Sequence, residues 1–408
     1  MDKIKKNILP IYIIINILYL LIGSFFAYIG SIQRVYFSYG YIFVLLPLNI
    51  IMAILLRKRY KKNIIHIFLL SILVFSIIST IFAYKKDIAL FGEFNRYEGL
   101  FMIAYYLSIV YLSSLVEEKK KKMIAYVIIG VVALEILFGL FQKFNIFNVP
   151  VYYHNGEIFF SGFPSNPNFM ATLILIGLCY LIGLFFESKK NIIYILLILY
   201  FLTGLMMTNT LSCIVGLFFV LIYLIVYSIK FKTYKKLIIL LLCIISVFCV
   251  LHNTKMTTLA EDLKLFKKQT TKMVTGDYES DYNFGSGRIY VWRNTMNYLP
   301  KYLLTGIGID NFKYINNGLP IYRYGFPYDK AHNEYLQILV TAGIYTLLSY
   351  LALYFVITFR GIKNSFKNKE LYLILPVIGY LVQAFFNISV IEVAPLFYIT
   401  LGLNIKRS

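Results

Sequence analysis

Little in this sequence could serve as the common machinery of a soluble enzyme. Its four cysteines, Cys179, Cys213, Cys243 and Cys249, all fall within or near apolar runs. That placement argues against a disulfide framework in an external loop. There is no DxD, no HExxH and no Cys/His ligand spacing, so no metal is expected. No P-loop or G-x-G-x-x-G fingerprint occurs, and "GSGR" and "GIG" are too short to count as either, so no nucleotide cofactor is implied. A G-x-S-x-G nucleophile elbow is also missing. No 20–50-residue repeat is visible. Nor are there two matched halves with paired broken spans, which argues mildly against a transporter. The opening "MDKIKKNILPIYIIIN" lacks a small-residue cleavage site and is expected to be retained as the first helix.

What is present is hydrophobicity. Of 408 residues, 60% are hydrophobic, and the mean hydropathy is +0.73. Soluble domains average roughly 45–50% apolar residues. Continuous apolar runs of about 17–25 residues recur, long enough to cross a hydrocarbon core of about 30 Å. Period-2 alternation, which a membrane β-barrel needs, is absent. The expected fold is therefore an all-α polytopic membrane protein. Its twelve expected spans lie at about 8–29, 40–56, 64–83, 99–116, 123–141, 168–186, 191–207, 211–229, 237–251, 335–359, 371–386 and 390–404. One integrated membrane domain then comprises 1–251 (spans one to nine), a large loop at 252–334, and 335–408 (spans ten to twelve).

The formal net charge of +21 would indicate nucleic acid in a soluble protein. Here it reads as topology. "KIKK", "RKRYKK", "KKKK", "ESKK", "KFKTYKK", "RGIKNSFKNK" and "KRS" all fall on one side of the spans and hold most of the 40 Lys and Arg. By the positive-inside rule that side is cytoplasmic, both termini lie there, and no nucleic-acid partner is expected. The Ile, Lys, Asn and Tyr richness hints at an AT-rich bacterial genome.

The remaining segments, about 30–39, 84–98, 142–167, 208–210, 252–334 and 387–389, are then extracytoplasmic. A loop as long as 252–334 should carry structure or function. Within it, "TLAEDLKLFKKQTTKMV" is amphipathic, with Leu259, Leu263, Phe266 and Met273 on one face. "SGRIYVWRNTMNYL" offers Ser286 as an N-cap and is expected to run helically to Pro300. "TGIGIDNF" is a glycine turn feeding another short helix.

Four external polar groups could carry chemistry. They are Arg96 and Glu98 in "FNRYEGL", Asn166 and Asn168 around Pro167, Arg288 and Arg293 in "GSGRIYVWR", and His332, Asn333, Glu334 and Gln337 in "DKAHNEYLQ". Arginine presents a rigid fork of donors that matches phosphate and stays charged. Contact with lipid headgroups explains outward arginines equally well, and Arg34 and Arg323 are left to that explanation. The amides at the start of the Arg288 helix would also favour an anion. His332 can act as a base near neutrality, or can serve span ten structurally. Glu334 or Asp329 could orient it. His154 and His252 sit in less concentrated surroundings, and His66 lies at a cytoplasmic end. Glu135 and Glu392 are carboxylates at or near membrane depth and so functional candidates, Glu135 without a partner visible in sequence.

These groups, in this order, resemble the O-antigen ligase and polymerase superfamily of bacterial envelope glycan enzymes. The likeness is carried by "SGRIYVWRNTMNYLPKYLLTGIGIDNF" and "HNEYLQILVTAGI" within 286–343, and more weakly by "NPN" at 166–168 and "RYEGL" at 96–100. It covers about 94–359. Where the family often shows Thr-x-Ser-Arg, this chain has "TNTLSCIVG", with Cys213 in the place of the arginine. The resemblance implies a GT-C-type, metal-independent, inverting membrane glycosyltransferase with an extracytoplasmic active site in the bacterial cytoplasmic membrane. The donor would be a glycan on undecaprenyl diphosphate, and the acceptor a glycan, lipid or protein. Arg288, helped by Arg96 or Arg293, would hold the diphosphate. His332 would take the acceptor proton. Glu98, Asn166, Asn168, Asn333 and Gln337 would line the substrate site, and the 258–274 helix would flank the path of the lipid tail. A repeat-unit polymerase for capsule-like polysaccharide is preferred over a ligase. A flippase or permease is the reading from another class.

Overall fold

A computed structural model describes residues 2–30, 33–57, 63–146, 153–154, 157–158, 160–189, 192–274, 284–323 and 325–405. Most of "RKRYKK", all of the terminal "KRS", and the side chains of "KIKK", His154 and Arg323 lie outside the described residues.

Among the described residues, eight helical segments are long and apolar enough to cross a membrane: Ile8–Tyr28, Arg34–Leu55, Ile64–Ile81, Glu118–Lys143, Pro167–Glu187, Leu211–Phe231, Tyr234–Asn253 and Ile344–Asn368. Four shorter apolar helices, Leu100–Ser114, Ile192–Met207, Leu371–Gln383 and Ala394–Leu403, stand where the other four spans were expected. In chain order the helices are α1 (Asp2–Tyr28), α2 (Arg34–Tyr39) continuing through a π-helical turn into α3 (Leu46–Leu55), α4 (Ile64–Ile81), α5 (Lys86–Phe91), α6 (Leu100–Ser114), α7 (Glu118–Lys143), α8 (Pro167–Glu187), α9 (Ile192–Met207), α10 (Leu211–Phe231) and α11 (Tyr234–Asn253). Then come α12 (Leu259–Val274), α13 (Arg288–Tyr302), α14 (Glu334–Ala342), α15 (Ile344–Asn368), α16 (Leu371–Gln383) and α17 (Ala394–Leu403).

The centre of the bundle is α8, apolar on every face and buried over its whole apolar window. A helix of that composition belongs inside. It packs against α16, α9, α7 and α10. Gly183 admits the backbone of Tyr372 on α16, and Gly177 admits Phe201 and Val132. By contrast α11 buries only a minor share of its surface and presents Ile238, Leu242 and Ile245 outward, as a lipid-facing helix does.

All six segments expected on one side meet at one end. Arg34 pairs with Glu392, the Tyr84 amide donates to the Ile307 carbonyl, and the Glu93 amide donates to Asp310. Thr257 reaches Asn209, and Asn387 reaches the Asn168 carbonyl. The basic loops meet at the other end, where Lys236 donates to the Phe185, Phe186 and Ser188 carbonyls and Lys122 pairs with Glu187.

The long 252–334 segment has a small core of its own, built on Val291, Ile307, Phe312, Ile315, Ile321, Ala331 and Val340. A short hairpin, β1 (Ile321–Arg323) against β2 (Phe326–Tyr328), closes it. The glycine turn is clamped to α14 by backbone hydrogen bonds: Ile307 N to Val340 O at 2.9 Å, Gly308 N to Thr341 O at 3.0 Å, and Ile344 N to Leu303 O at 2.8 Å. A Cβ on Gly306, whose φ is 74°, would collide with the Thr341 carbonyl. Gly306→Ala is therefore expected to cost more than the roughly 1–3 kcal/mol of a strained left-handed residue alone. Thermal unfolding of the detergent-solubilised protein, lowered by several degrees, checks this.

Three expectations change in detail. Span ten does not begin at 335: Gly343, with φ 85°, separates α14 from α15, and only α15 is long enough to cross. Ser286 is not an N-cap, because Gly285, Ser286 and Gly287 all adopt left-handed backbone and α13 starts at Arg288. Pro300 does not end α13, which continues to Tyr302. The amphipathic helix is present as α12, with Leu259 buried and Leu263 and Phe266 exposed.

Candidate active site

The stretch 329–334 is held residue by residue. Asp329 receives two hydrogen bonds from the Arg96 guanidinium, at 2.6 and 3.1 Å. Lys330, buried, lies 3.1 Å from Glu98 Oε2 and 2.6 Å from Asp310 Oδ1. The Ala331 amide donates to Gln337 Oε1 at 2.8 Å, and its carbonyl accepts from Trp292 Nε1 at 2.9 Å. Asn333 caps α14, accepting from the Leu336 amide at 3.0 Å. Glu334 accepts from the Tyr380 hydroxyl at 3.0 Å.

His332 is the exception. It adopts a left-handed conformation with φ 51°, and no hydrogen bond joins it to any described residue. Tyr328 meets its ring edge-on at 5.9 Å. Asparagine, aspartate and histidine tolerate this backbone better than most residues, but a non-glycine there signals strain held by its surroundings. Part of the His332 surface is open, while protein atoms crowd the ring. Burial, reinforced by the charges of Arg288 and Arg96, lowers its pKa from 6.5 to about 3. The imidazole is therefore neutral at physiological pH, with a lone pair available.

The cations around it differ in their compensation. Burial alone would lower Arg96, but Asp329 more than offsets this and raises it. Burial opposes Lys330 as well, and Asp310 and Glu98 hold it above the usual lysine range. Arg288 has no such carboxylate among the described residues. Its Nη1 donates to the Gly285 carbonyl at 3.1 Å, its Nε is buried without a partner, and burial lowers its pKa. An incompletely compensated guanidinium at the start of a 15-residue helix is an anion-attracting arrangement.

Behind the loop lies a cavity of about 70 Å³ bounded by Glu98, Asp310, Lys330, Glu334, Gln337 and Ser389. Glu98 also accepts from the Tyr106 and Ser389 hydroxyls, at 3.0 and 2.7 Å. Gln337 Nε2 is buried there without a hydrogen-bond partner. Burial pushes the Glu334 carboxyl up to about 8, so it holds a proton at neutral pH.

The structure thus brings Arg96, Glu98, Arg288, His332, Asn333 and Gln337 into one neighbourhood. Arg96 and Glu98 are engaged in ion pairs within the protein. Neither Glu334 nor Asp329 orients His332, because each is bonded elsewhere. Arg293 is exposed on α13. Asn166 caps α8, accepting from the Asn168 amide at 2.9 Å. Cys213 is buried with its Sγ 3.8 Å from Thr172 Oγ1, which lies 3.3 Å from both Gln383 Oε1 and Asn387 Nδ2. Its surroundings, as far as described, are hydroxyls and amides rather than a substitute cation. Arg34 pairs with Glu392, so lipid headgroups are not needed to explain it. Glu135 accepts from the Phe163 amide at 3.0 Å and so anchors the segment before α8.

Two members of this cluster were not singled out from the sequence. Lys330 sits beside His332, but its partners Glu98 and Asp310 are far away in the chain. Asp310 lay inside the quoted glycine-turn motif without any charge pattern to mark it.

Residues 194–351 match the family model described as O-antigen ligase. The matched O-antigen ligase stretch runs from α9 into α15. It contains Arg288, Arg293, His332, Asn333 and Gln337, whereas Arg96, Glu98, Asn166 and Asn168 precede it. Over that stretch the chain is similar to the O-antigen ligase family, in agreement with the resemblance carried by its motifs. With its series of apolar helices the chain is a multi-pass membrane protein. No curated protein matches it.

Proposed function

We propose that this protein is a polysaccharide repeat-unit polymerase of the bacterial cytoplasmic membrane, with its active site on the extracytoplasmic side. The donor is a glycan on undecaprenyl diphosphate, and the acceptor is the terminal sugar of a second lipid-linked glycan. The observation that carries this reading is the pairing of opposites at 288 and 332: a guanidinium with no carboxylate partner among the described residues, beside an imidazole kept neutral.

In this reading Arg288 and the first amides of α13 hold the diphosphate. The acceptor hydroxyl attacks the anomeric carbon and gives its proton to His332, and the bond to the diphosphate oxygen breaks. The lipid diphosphate leaves with the electron pair, its charge stabilised by Arg288. A single displacement inverts the anomeric centre. The imidazolium then returns its proton to water. Donor binding has a second effect, because the diphosphate offsets the positive charge that suppresses His332. The base becomes stronger when the substrate arrives. Exposed Leu263 and Phe266 on α12, which also contacts the turn before Arg288, would flank the lipid tail.

The description of the matched family favours a second reading, a ligase that moves a finished glycan to another acceptor. Lipid-linked glycans in a deletion strain separate the two. Accumulated single repeat units are expected for the polymerase, and accumulated long chains would identify the ligase.

A further inference from the structure

We propose that Lys330 is the positioning residue for His332, holding the base in its partly open, left-handed conformation through a buried charge triad with Glu98 and Asp310. The inference rests on the role proposed above for His332.

Three observations carry it. First, Lys330 and its two partners are all buried, and the three come from three separate segments: the turn before α6, the loop after the glycine turn, and the stretch before α14. Buried charges of this kind persist only with near-complete pairing. Second, the carboxylates are themselves fixed. Asp310 Oδ2 accepts from the Glu93 and Glu98 amides at 2.8 and 3.2 Å, and Glu98 accepts from Tyr106 and Ser389. The triad therefore ties Lys330 to carboxylates that are themselves hydrogen-bonded in place. Third, Ala331 is held on both sides, by Gln337 and Trp292, and Asn333 is held by its cap. With 330, 331 and 333 immobilised, the backbone of His332 has little choice, and its ring is presented without a hydrogen bond to any described residue. A left-handed residue survives only where the surroundings over-determine it. Lys330 is the nearest charged side-chain anchor upstream of His332; the Arg96–Asp329 pair, one residue further, fixes the chain entering it but not the two peptide units next to the base.

The test uses the full-length protein in lipid nanodiscs, with lipid-linked glycan purified from the deletion strain as substrate. Lys330→Met is expected to lower the transfer rate about 100-fold, as small misplacements of a catalytic group do. Binding of undecaprenyl diphosphate, probed alone, should be unchanged, because Arg288 is untouched. Lys330→Arg, which keeps the charge, should restore a substantial part of the rate.

A second readout is independent of activity. In protein labelled with [13C]histidine and retaining only His332, the ring titration should move upward in Lys330→Met. The groups acting on that ring are Arg288 from α13, Arg96 from the turn before α6, and Tyr328, Asp329 and Lys330 from its own segment. Lys330 is one of the cations that depress it.

Since Lys330→Met strands two buried carboxylates, Asp310→Asn/Lys330→Met is made in parallel to relieve one of them. A folded variant of either kind with an unchanged rate would overturn the inference. So would a rate loss matched by loss of diphosphate binding. Failure of both methionine variants to fold would make Lys330 purely structural and also overturn it. If His332→Ala itself retains transfer, the reading of the site fails, independently of Lys330.

Discussion

Replacing Arg288 by methionine is expected to make the protein more stable and nearly inactive. The stability gain follows from its surroundings. Among the described residues its Nε is buried without a partner, Nη1 reaches only a carbonyl, and no carboxylate compensates the charge. An unpaired charge taken out of water is costly, and an apolar side chain of similar length keeps the packing of the stem. A gain of about 0.5–2 kcal/mol is in the range of single stabilising substitutions. The loss of activity follows from the same charge. A preorganised donor aimed at a developing anion is commonly worth about 10²–10³-fold in rate. The measurements are thermal unfolding in detergent and polymer formation in the complemented deletion strain. A less stable and still active variant would show that Arg288 is structural. Arg96→Met provides the contrast, since it strands Asp329 and is expected to destabilise.

His332→Ala is expected to reduce transfer by about 10²–10⁴-fold, the usual weight of a general base, while protein level and membrane insertion are kept. Retained glycan chain lengths in that variant would remove the catalytic role. The pH dependence is more discriminating. In the free protein His332 titrates near 3, so the acid limb of kcat/KM should fall well below pH 6.5. With the donor bound, the diphosphate neutralises Arg288, and the acid limb of kcat should lie higher. Coincident limbs would contradict coupling between the two groups.

Stability has a definite sign as well. Because the folded pKa is depressed from 6.5 to about 3, the unfolded chain binds a proton in that interval that the folded protein refuses. This site therefore costs nothing above about pH 6.5 and destabilises progressively as pH falls toward 3. His332→Asn removes that cost while tolerating the left-handed backbone. Its unfolding temperature should fall less steeply between pH 7 and 5 than that of the parent.

The apolar helices and their alternation were legible in the sequence, because both are local properties. A run of Ile, Leu and Phe long enough to cross the bilayer declares itself within about 20 residues, and lysine clusters mark the same side of each turn. The six segments sorted that way do meet at one end of the bundle. The "HNEYLQ" and "SGR" patterns likewise pointed to the residues that the fold brings together. What the sequence could not decide was which charge is paired with which. Arg96 and Arg288 look alike as letters, yet Asp329 neutralises one from 233 positions away, and no described carboxylate reaches the other. Lys330 looked like another loop lysine until Glu98, 232 positions away, closed on it. The break at Gly343 was hidden because apolar residues run through it, and only the carbonyl of Leu304 pressed against that glycine shows why a side chain is excluded there. Hydrophobicity acts residue by residue and leaves a periodic trace. Pairing of buried charges depends on distances between segments that only the folded chain creates, and those distances separate the compensated cations from Arg288 and leave His332 without a hydrogen bond to any described residue, among anchored neighbours.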